Sequence, residues 1–170
     1  MRPPTASRRA GGPLANTGSP DGDRSHAVYE QLSQEYIDAC RRQIDAQVAA
    51  YRILVAAGAD LHGSSRTQFD AAIHAFEPVF FTNLVLVLEN YFVHRSRTIE
   101  KKDGNPLNEV RVLATSMMSN SGRLPADKSI RLDPATSILK FRVGDEIAVG
   151  EEDFGRLITA FFAELESKFL

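Results

Sequence analysis

The stretch HRSRTIEKKDGNPLNEVR, residues 94 to 111, holds most of the side chains in this sequence whose types and spacing could do chemistry. It combines an imidazole, guanidinium and ammonium groups, carboxylates and asparagines, soon after the most apolar run, VFFTNLVLVL. Such a stretch could form an active site, an anion-binding site or a set of ion pairs that fixes a reversal between helices. The ion-pair interpretation is favoured, because charges of both signs at a helix junction usually pair or face water.

The anion-site alternative depends on helical register. If the helix before the stretch continued to residue 101, side chains spaced by three and four residues would share one face, and a turn would bring the next helix back to it. Free N–H groups at the start of that next helix would favour negative charge. The ligand-binding or anion-binding candidates are His94, Arg97, Lys101, Asn108 and Arg111.

The structural alternative assigns the reversal to a polar cluster of Arg95, Glu100, Asp103 and Glu109. Arg95 falls on the core side of the helical register, where a guanidinium needs a carboxylate partner. We expect that partner to be Glu109. Asp103 and Glu109 also weigh against the anion site, because they would repel a negatively charged ligand.

No metal, cofactor or catalytic residue is predicted. The pair His74 and Glu77 occurs once and reads His-x-x-Glu, whereas di-iron bundles need two Glu-x-x-His pairs and further carboxylates. Cys40 lies on an apolar helical stripe, so burial is the default for its thiol. The sequence has no phosphate-binding loop, dinucleotide fingerprint or nucleophile elbow. Whether the protein is an enzyme is left open.

RNA processing is the weakest alternative. Helical ribonucleases of the HEPN class place an arginine and then a histidine four to six residues apart on a helix. In this sequence His94 directly precedes Arg95, and the forward match from Arg66 to His74 has seven residues between them. Because neither pair has the order and spacing of the arginine and histidine in these ribonucleases, a nuclease is not favoured.

Helices must position the polar stretch, and apolar periodicity predicts four of them. Asn105 is a predicted cap with Pro106 in the first turn, and a kink or break is expected at Pro78. The predicted helices run from Val28 to Ala57, from a capping box at Ser65 to about residue 101, from Asn105 to Gly122, and from Glu151 to the C-terminal end.

Between the last two helices the apolar residues alternate, as in SILKFRV, which predicts short strands. Leu139, Phe141 and Val143 would share one face of a small sheet. The predicted fold is mostly α (α+β): a helical bundle with a small antiparallel three-stranded β-meander, at about residues 129–149, before the C-terminal helix.

The composition, with a net charge of −2, gives no overall attraction to nucleic acid or anionic lipid. Residues 1–26 are poor in apolar side chains and are expected to form a disordered tail before a single domain at 27–170. The longest apolar run, Val79 to Leu88, has about half the roughly 20 residues that a membrane helix needs. A soluble cytoplasmic protein is therefore expected, without membrane or nucleic-acid partners.

The apolar faces of Val79–Leu88 and Phe154–Phe169 exceed what a thin bundle needs. They predict a homo-oligomer, most simply a dimer, or binding to a protein partner. The predicted function is therefore that of a non-enzymatic, self-associating or partner-binding helical domain. The alternative is a small anion-binding or ligand-binding protein that uses the polar stretch at 94–111. An enzyme that binds its substrate there also belongs to this class.

From about residue 30 onward the sequence resembles a family of small bacterial proteins with the pattern HR-x-R-x-x-E-x-K-D-G-N-P-L-N-E-V-R. The stretches ADKSIRLDPATSILKFRVGDEI and FGRLITAFFAELESKF carry the same resemblance. The family has no established activity, so the resemblance implies no substrate, cofactor or catalytic residue.

Overall fold

The computed structural model describes residues 32–126, 129–130 and 132–170. The tail expected at 1–26 and the predicted helix start at Val28 lie outside the described residues. The described part of the chain contains five helices: α1 (Gln34–Ala57), α2 (Gly63–Tyr91), α3 (Arg97–Glu100), α4 (Pro106–Ser119) and α5 (Glu151–Phe169).

The second predicted helix differs from α2 at both ends. The helix starts at Gly63, so Ser65 is not its cap, and His62 at the cap position makes no side-chain cap bond. It continues through Pro78 without a break, although proline supplies no N–H for the preceding turn. It ends at Tyr91, so the polar stretch is not a continuation of α2. The end of α1 at Ala57 and the start of α5 at Glu151 are confirmed.

The core lies where the C-terminal half of α2 packs against α4 and α5. Phe81, Leu84, Val85 and Leu88 of α2 are buried there. The other helices contribute their predicted apolar stripes, because burial of these stripes is what stabilises amphipathic helices. The buried residues of those stripes are Ile37, Cys40, Ile44 and Tyr51 of α1, Leu107, Val110 and Ala114 of α4, and Phe154, Leu157, Phe161, Phe162 and Leu165 of α5.

Glu77 connects α2 to both of its neighbours. Its Oε1 accepts a hydrogen bond of 3.0 Å from the backbone N–H of Glu151, and so caps α5 from another helix. Its Oε2 accepts a hydrogen bond of 2.9 Å from the hydroxyl of Tyr51 in α1. Burial together with the neighbouring Glu77 carboxylate raises the pKa of Tyr51 to about 12. The hydroxyl therefore stays a donor at neutral pH.

The predicted β-meander is wrong, and the fold is all-α. The described residues contain no strand, only an isolated antiparallel bridge between Arg123 and Glu146. Residue 131, inside one predicted strand, lies outside the described residues. Val143, expected on the buried face with Leu139 and Phe141, is 66% exposed.

The backbone of the 129–149 segment forms turns and bonds to side chains and to the backbone of residues 122–124, but the described part of the segment forms no continuous β-ladder. The carbonyl of Asp133 accepts from the N–H groups of Thr136 and Ser137, and Lys140 has a positive φ of 60°. Scattered residues of the segment, such as Ile147 and Val149, are buried against the helices. Apolar alternation can therefore arise in an irregular segment that covers a core, without cross-strand pairing.

The C-terminal end of α1 and the N-terminal half of α2 extend away from this core. We call residues 52–79 the arm. Its base is a stack of aromatic rings, in which the ring centre of Tyr51 lies 5.6 Å from that of Phe80 and 6.4 Å from that of Phe76. Among the described helices, α2 alone has the length and composition to cross a membrane, and 22% of its most apolar window is buried. Much of the apolar surface of α2 is therefore outside the core.

Close contact at the tip of the arm can be tested at Gly58. A Cβ atom on Gly58 would collide with the ring of Phe69, whereas a Cβ on Gly155 in α5 meets no atom within 4 Å. We expect Gly58→Ala to lower the free energy of unfolding by about 1–2 kcal/mol through overpacking. Gly155→Ala should raise it by about 0.5–1 kcal/mol, because alanine favours helix. Urea denaturation followed by circular dichroism measures both, and equal effects would contradict the proposed contact.

Candidate functional site

Glu100 of α3 is the centre of the polar stretch and is fully buried. Its Oε2 accepts a hydrogen bond of 2.6 Å from Nη1 of Arg97 and lies 3.1 Å from Nε of Arg95. Its Oε1 accepts a bond of 2.8 Å from Nδ2 of Asn108 and lies 3.5 Å from Nε of Arg111. Two nitrogens therefore donate hydrogen bonds to the carboxylate, and two more lie within ion-pair distance of it, although Nε of Arg95 makes no hydrogen bond within the described residues.

Arg95 is the most buried cation of the group, with no side-chain surface exposed. One Nη2 bond of 2.8 Å reaches Glu89 of α2, and another of 3.1 Å reaches the carbonyl of Leu107. Its Nη1 donates to the carbonyl of Phe92 at 2.9 Å, and the guanidinium lies 5.6 Å from the ring centre of Phe161. The charge-assisted bonds and carbonyls offset the desolvation of this cation. We call Glu89, Arg95, Arg97, Glu100, Asn108 and Arg111 the Glu100 cluster.

Glu109 is not the partner of Arg95, so that prediction is wrong. The Glu109 carboxylate is buried and accepts the backbone N–H groups of Ile138 at 2.7 Å and Leu139 at 2.8 Å. Burial raises the pKa of Glu109, and the two N–H bonds offset only part of that effect. Glu109 therefore holds the irregular segment against α4 and leaves Arg95 to Glu89 and Glu100.

The start of α4 does not offer free N–H groups to an anion, in contrast to the sequence hypothesis. Oδ1 of Asn105 accepts from the N–H groups of Leu107 at 2.9 Å and Asn108 at 3.2 Å, as the predicted cap should. Nδ2 of Asn105 also donates to the carbonyl of Glu100 at 2.8 Å. The asparagines of the GNPLN sequence thus tie the loop to α3 and α4.

Lys168, near the end of α5, belongs to the same region and was missed by sequence reasoning. Its Nζ donates to the carbonyl of Glu100 at 2.8 Å and forms an ion pair of 2.8 Å with Glu164. Asp103 is exposed and lies 3.9 Å from the same ammonium group. The only local signal was a basic residue in the last turn of a helix, which does not identify a distant carbonyl.

The structure brings together only some of the predicted candidates. Arg97, Asn108 and Arg111 contact Glu100, as described above. His94 is exposed and lines a different cavity of about 450 Å³ beside Tyr36 at the start of α1. The side chain of Lys101 is exposed, and in the described part of the chain no ion pair joins it to the cluster.

Three guanidinium groups of the cluster face two carboxylates, so the cluster has one excess positive charge. Burial alone would raise the pKa of Glu100, but the hydrogen bond from Arg97 and the charges of Arg95 and Arg111 outweigh burial and lower it. Burial lowers the pKa of Arg111, and the charges of Arg97 and Arg95 act in the same direction. The charge of Glu100 opposes this lowering of the Arg111 pKa, but Glu100 lies 3.5 Å from Arg111, further than the carboxylates that pair with Arg95 and Arg97.

The arrangement is suited to holding charges in place and not to nucleophilic attack. Within the described residues, no group of three or more His, Cys, Asp or Glu residues is placed to hold a metal ion. Cys40 is buried, and burial raises the pKa of its thiol. A protonated, buried thiol is a poor nucleophile. What the cluster does physically is join the end of α2, α3 and the start of α4.

Comparisons with protein-family models, curated proteins and solved structures found no match to this chain.

The dependence of the fold on Glu100 can be measured directly. Glu100→Gln leaves three buried or half-buried guanidinium groups with a single carboxylate, so we expect a loss of about 3 kcal/mol in the free energy of unfolding. The matched control is Glu146→Gln, which removes an exposed ion pair with Arg123 and should cost less than about 1 kcal/mol. Urea denaturation compares the two variants, and a similar small cost for both would contradict a central role for Glu100.

The two buried carboxylates should affect the pH dependence of stability with opposite signs. The folded pKa of Glu100 is below its usual value of 4.5, so its stabilisation is complete above that value and is lost as pH falls through the folded pKa. The folded pKa of Glu109 is raised, so its contribution is present below 4.5 and declines as pH rises through the folded pKa. We expect Glu100→Gln to flatten the acid limb of a plot of urea midpoint against pH, and Glu109→Gln to flatten the decline above pH 4.5. An unchanged acid limb in Glu100→Gln would contradict this assignment.

Proposed function

We propose that this protein functions by self-association, as a two-fold dimer formed through the arm, and not by catalysis at a pocket. The single observation that carries the proposal is the apolar surface of the arm. Among the described residues, twelve large apolar side chains are exposed, and six of them lie in the arm: Ile53, Leu54, Val55, Leu61, Phe76 and Val79.

The size of this surface fits a protein interface. The six side chains keep between 36% and 71% of their surface exposed. At roughly 150 Å² per large apolar side chain, this amounts to about 400 Å² of apolar surface. A standard interface contributes about 800 Å² per partner, of which somewhat more than half is apolar. The arm as a whole exposes about this much apolar area, and the area covers more than one side of α1, because Ile53, Leu54 and Val55 are consecutive in that helix.

A second copy of the arm is the occupant that the charges favour. The arm carries Arg52 and Arg66 against Asp60, Asp70 and Glu77, and Arg66 pairs with Asp70 within one helix turn. An arm with nearly balanced charge does not repel its own copy and does not attract a nucleic acid or an anionic surface. Two helical hairpins related by a two-fold axis bury their open faces as a four-helix arrangement, the simplest closed solution.

A membrane is a weaker explanation of the same surface. A span of roughly 20 residues in α2 would have to include part of its C-terminal half. That half contains Phe81, Leu84 and Leu88, which pack in the core, and Glu89, which is ion-paired with Arg95. Insertion of the most apolar stretch, Val79 to Leu88, would therefore separate core residues from their packing partners. Self-association needs no such rearrangement and agrees with the cytoplasmic location expected from the sequence.

Light scattering coupled to size-exclusion chromatography tests the proposal on the full chain. The wild type should have twice the chain mass at micromolar concentrations, and the variant Ile53→Asp with Val79→Asp should have the mass of a single chain. Both positions are more than half exposed, so the helical circular dichroism of this variant should be unchanged.

The matched control is Met118→Asp with Val143→Asp, at positions of similar exposure, 73% and 66%, outside the arm. This variant should keep the wild-type mass. A monomeric wild type at the highest soluble concentration would overturn the proposal. If that monomer bound to neutral lipid vesicles and lost this binding in the arm variant, the arm would be a membrane contact instead. Equal loss of mass in both variants would also count against the arm as the interface.

A further inference from the structure

Arg111 is the guanidinium of the Glu100 cluster that lies furthest from a carboxylate partner. Both Glu100 oxygens already accept shorter bonds, from Arg97 at 2.6 Å and Asn108 at 2.8 Å, while Nε of Arg111 lies 3.5 Å away. Among the described residues, Glu100 is the one carboxylate within ion-pair distance of Arg111. The Arg111 side chain is 18% exposed, so its charge is only partly hydrated. A half-buried guanidinium in this state is a strong attractor for an anion.

A cavity of about 190 Å³ lies beside this guanidinium. Arg111 lines it from α4, together with Thr115, which is one turn further along the same helix face. Lys102, from the loop before α4, lines it as well, and Pro125 lies on its wall. At about 30 Å³ per water molecule, the cavity holds about six waters, which is enough for a phosphate group with a short organic stem.

We propose that this cavity binds a phosphate group, free or carried by a small molecule, through the guanidinium of Arg111, the ammonium of Lys102 and the hydroxyl of Thr115. The guanidinium supplies a planar fork that fits two phosphate oxygens, the ammonium supplies a second charge, and the hydroxyl supplies a donor. Binding also neutralises the excess positive charge that the two cluster carboxylates leave. The site is distinct from the start of α4, where Asn105 occupies the N–H groups.

Among the described residues, the acidic sequence neighbours of Arg111 and Lys102 are already engaged. Glu109 of the same helix directs its carboxylate to the backbone N–H groups of Ile138 and Leu139. Asp103 accepts from Asn105 and lies beside Lys168. Neither of these carboxylates lines the cavity, so neither occupies the space beside Arg111.

Isothermal titration of the full chain with inorganic phosphate, and separately with glycerol phosphate, tests the proposal at low ionic strength. We expect wild-type binding with a Kd in the range of about 0.1–1 mM for at least one of the two. Lys102→Ala should weaken that binding about tenfold, and Arg111→Lys, which keeps the charge but loses the fork, should weaken it to a similar degree. Thr115→Val should weaken it about threefold, because a single neutral donor is lost.

The matched control is Lys101→Ala, which removes a neighbouring exposed cation that does not line the cavity and should change the Kd less than twofold. Lys101, Lys102 and Thr115 are all exposed, so these variants keep the fold and the test does not depend on Arg111 alone. No binding of either probe to the wild type at about 10 mM would overturn the proposal. Equal weakening by Lys101→Ala and Lys102→Ala would also overturn it, because that result indicates general surface charge. The outcome is independent of dimer formation, which the light-scattering mass reports separately.

Discussion

The burial of one carboxylate, that of Glu100, constrains the described part of the fold outside the arm, which we call the body. A buried charge is stable only if other charges and dipoles replace the water that it loses. Arg95 and Arg97 supply the closest charges, and because guanidinium groups have more donors than one carboxylate can accept, Arg95 also bonds the carbonyls of Phe92 and Leu107. Those carbonyls belong to the end of α2 and the start of α4. Neutralising one acid thus fixes the path of the chain between two helices.

The body and the arm are stabilised by different means. The body combines apolar burial with the Glu100 cluster, and its core side chains from α1, α2, α4 and α5 are almost fully enclosed. The arm has the aromatic stack of Tyr51, Phe76 and Phe80 at its base, and it leaves apolar side chains exposed to water. Glu77 joins the two parts because it bonds both Tyr51 and the first N–H group of α5. An exposed apolar arm on a closed body is a usual feature of a protein with an interaction surface.

Local signals in the sequence located α1, α4 and α5, but they misplaced both ends of α2, missed α3 and did not identify the partners of the helices. The cap at Asn105 and the proline after it depend on neighbouring residues only, and both were predicted. The strands predicted at 129–149 do not form in the described residues. The apolar alternation there reflects the partial burial of an irregular segment, whose backbone N–H groups bond to the Glu109 carboxylate. The partners of Arg95 depended on where α2 ends, and the role of Lys168 depended on a helix 68 residues further along. Tertiary geometry of this kind has no signature in a single sequence.

The bond between Lys168 and the carbonyl of Glu100 also has a consequence for how the chain matures. A ribosome releases residues in order, so the junction around Glu100 emerges before the ammonium group and before the ring of Phe161 that lies near Arg95. Until α5 has left the exit tunnel, the junction around Glu100 lacks its contacts with Lys168 and Phe161, and the side of α4 that packs on α5 is open to water. The contacts around Glu100 can therefore be completed only after α5 has been translated.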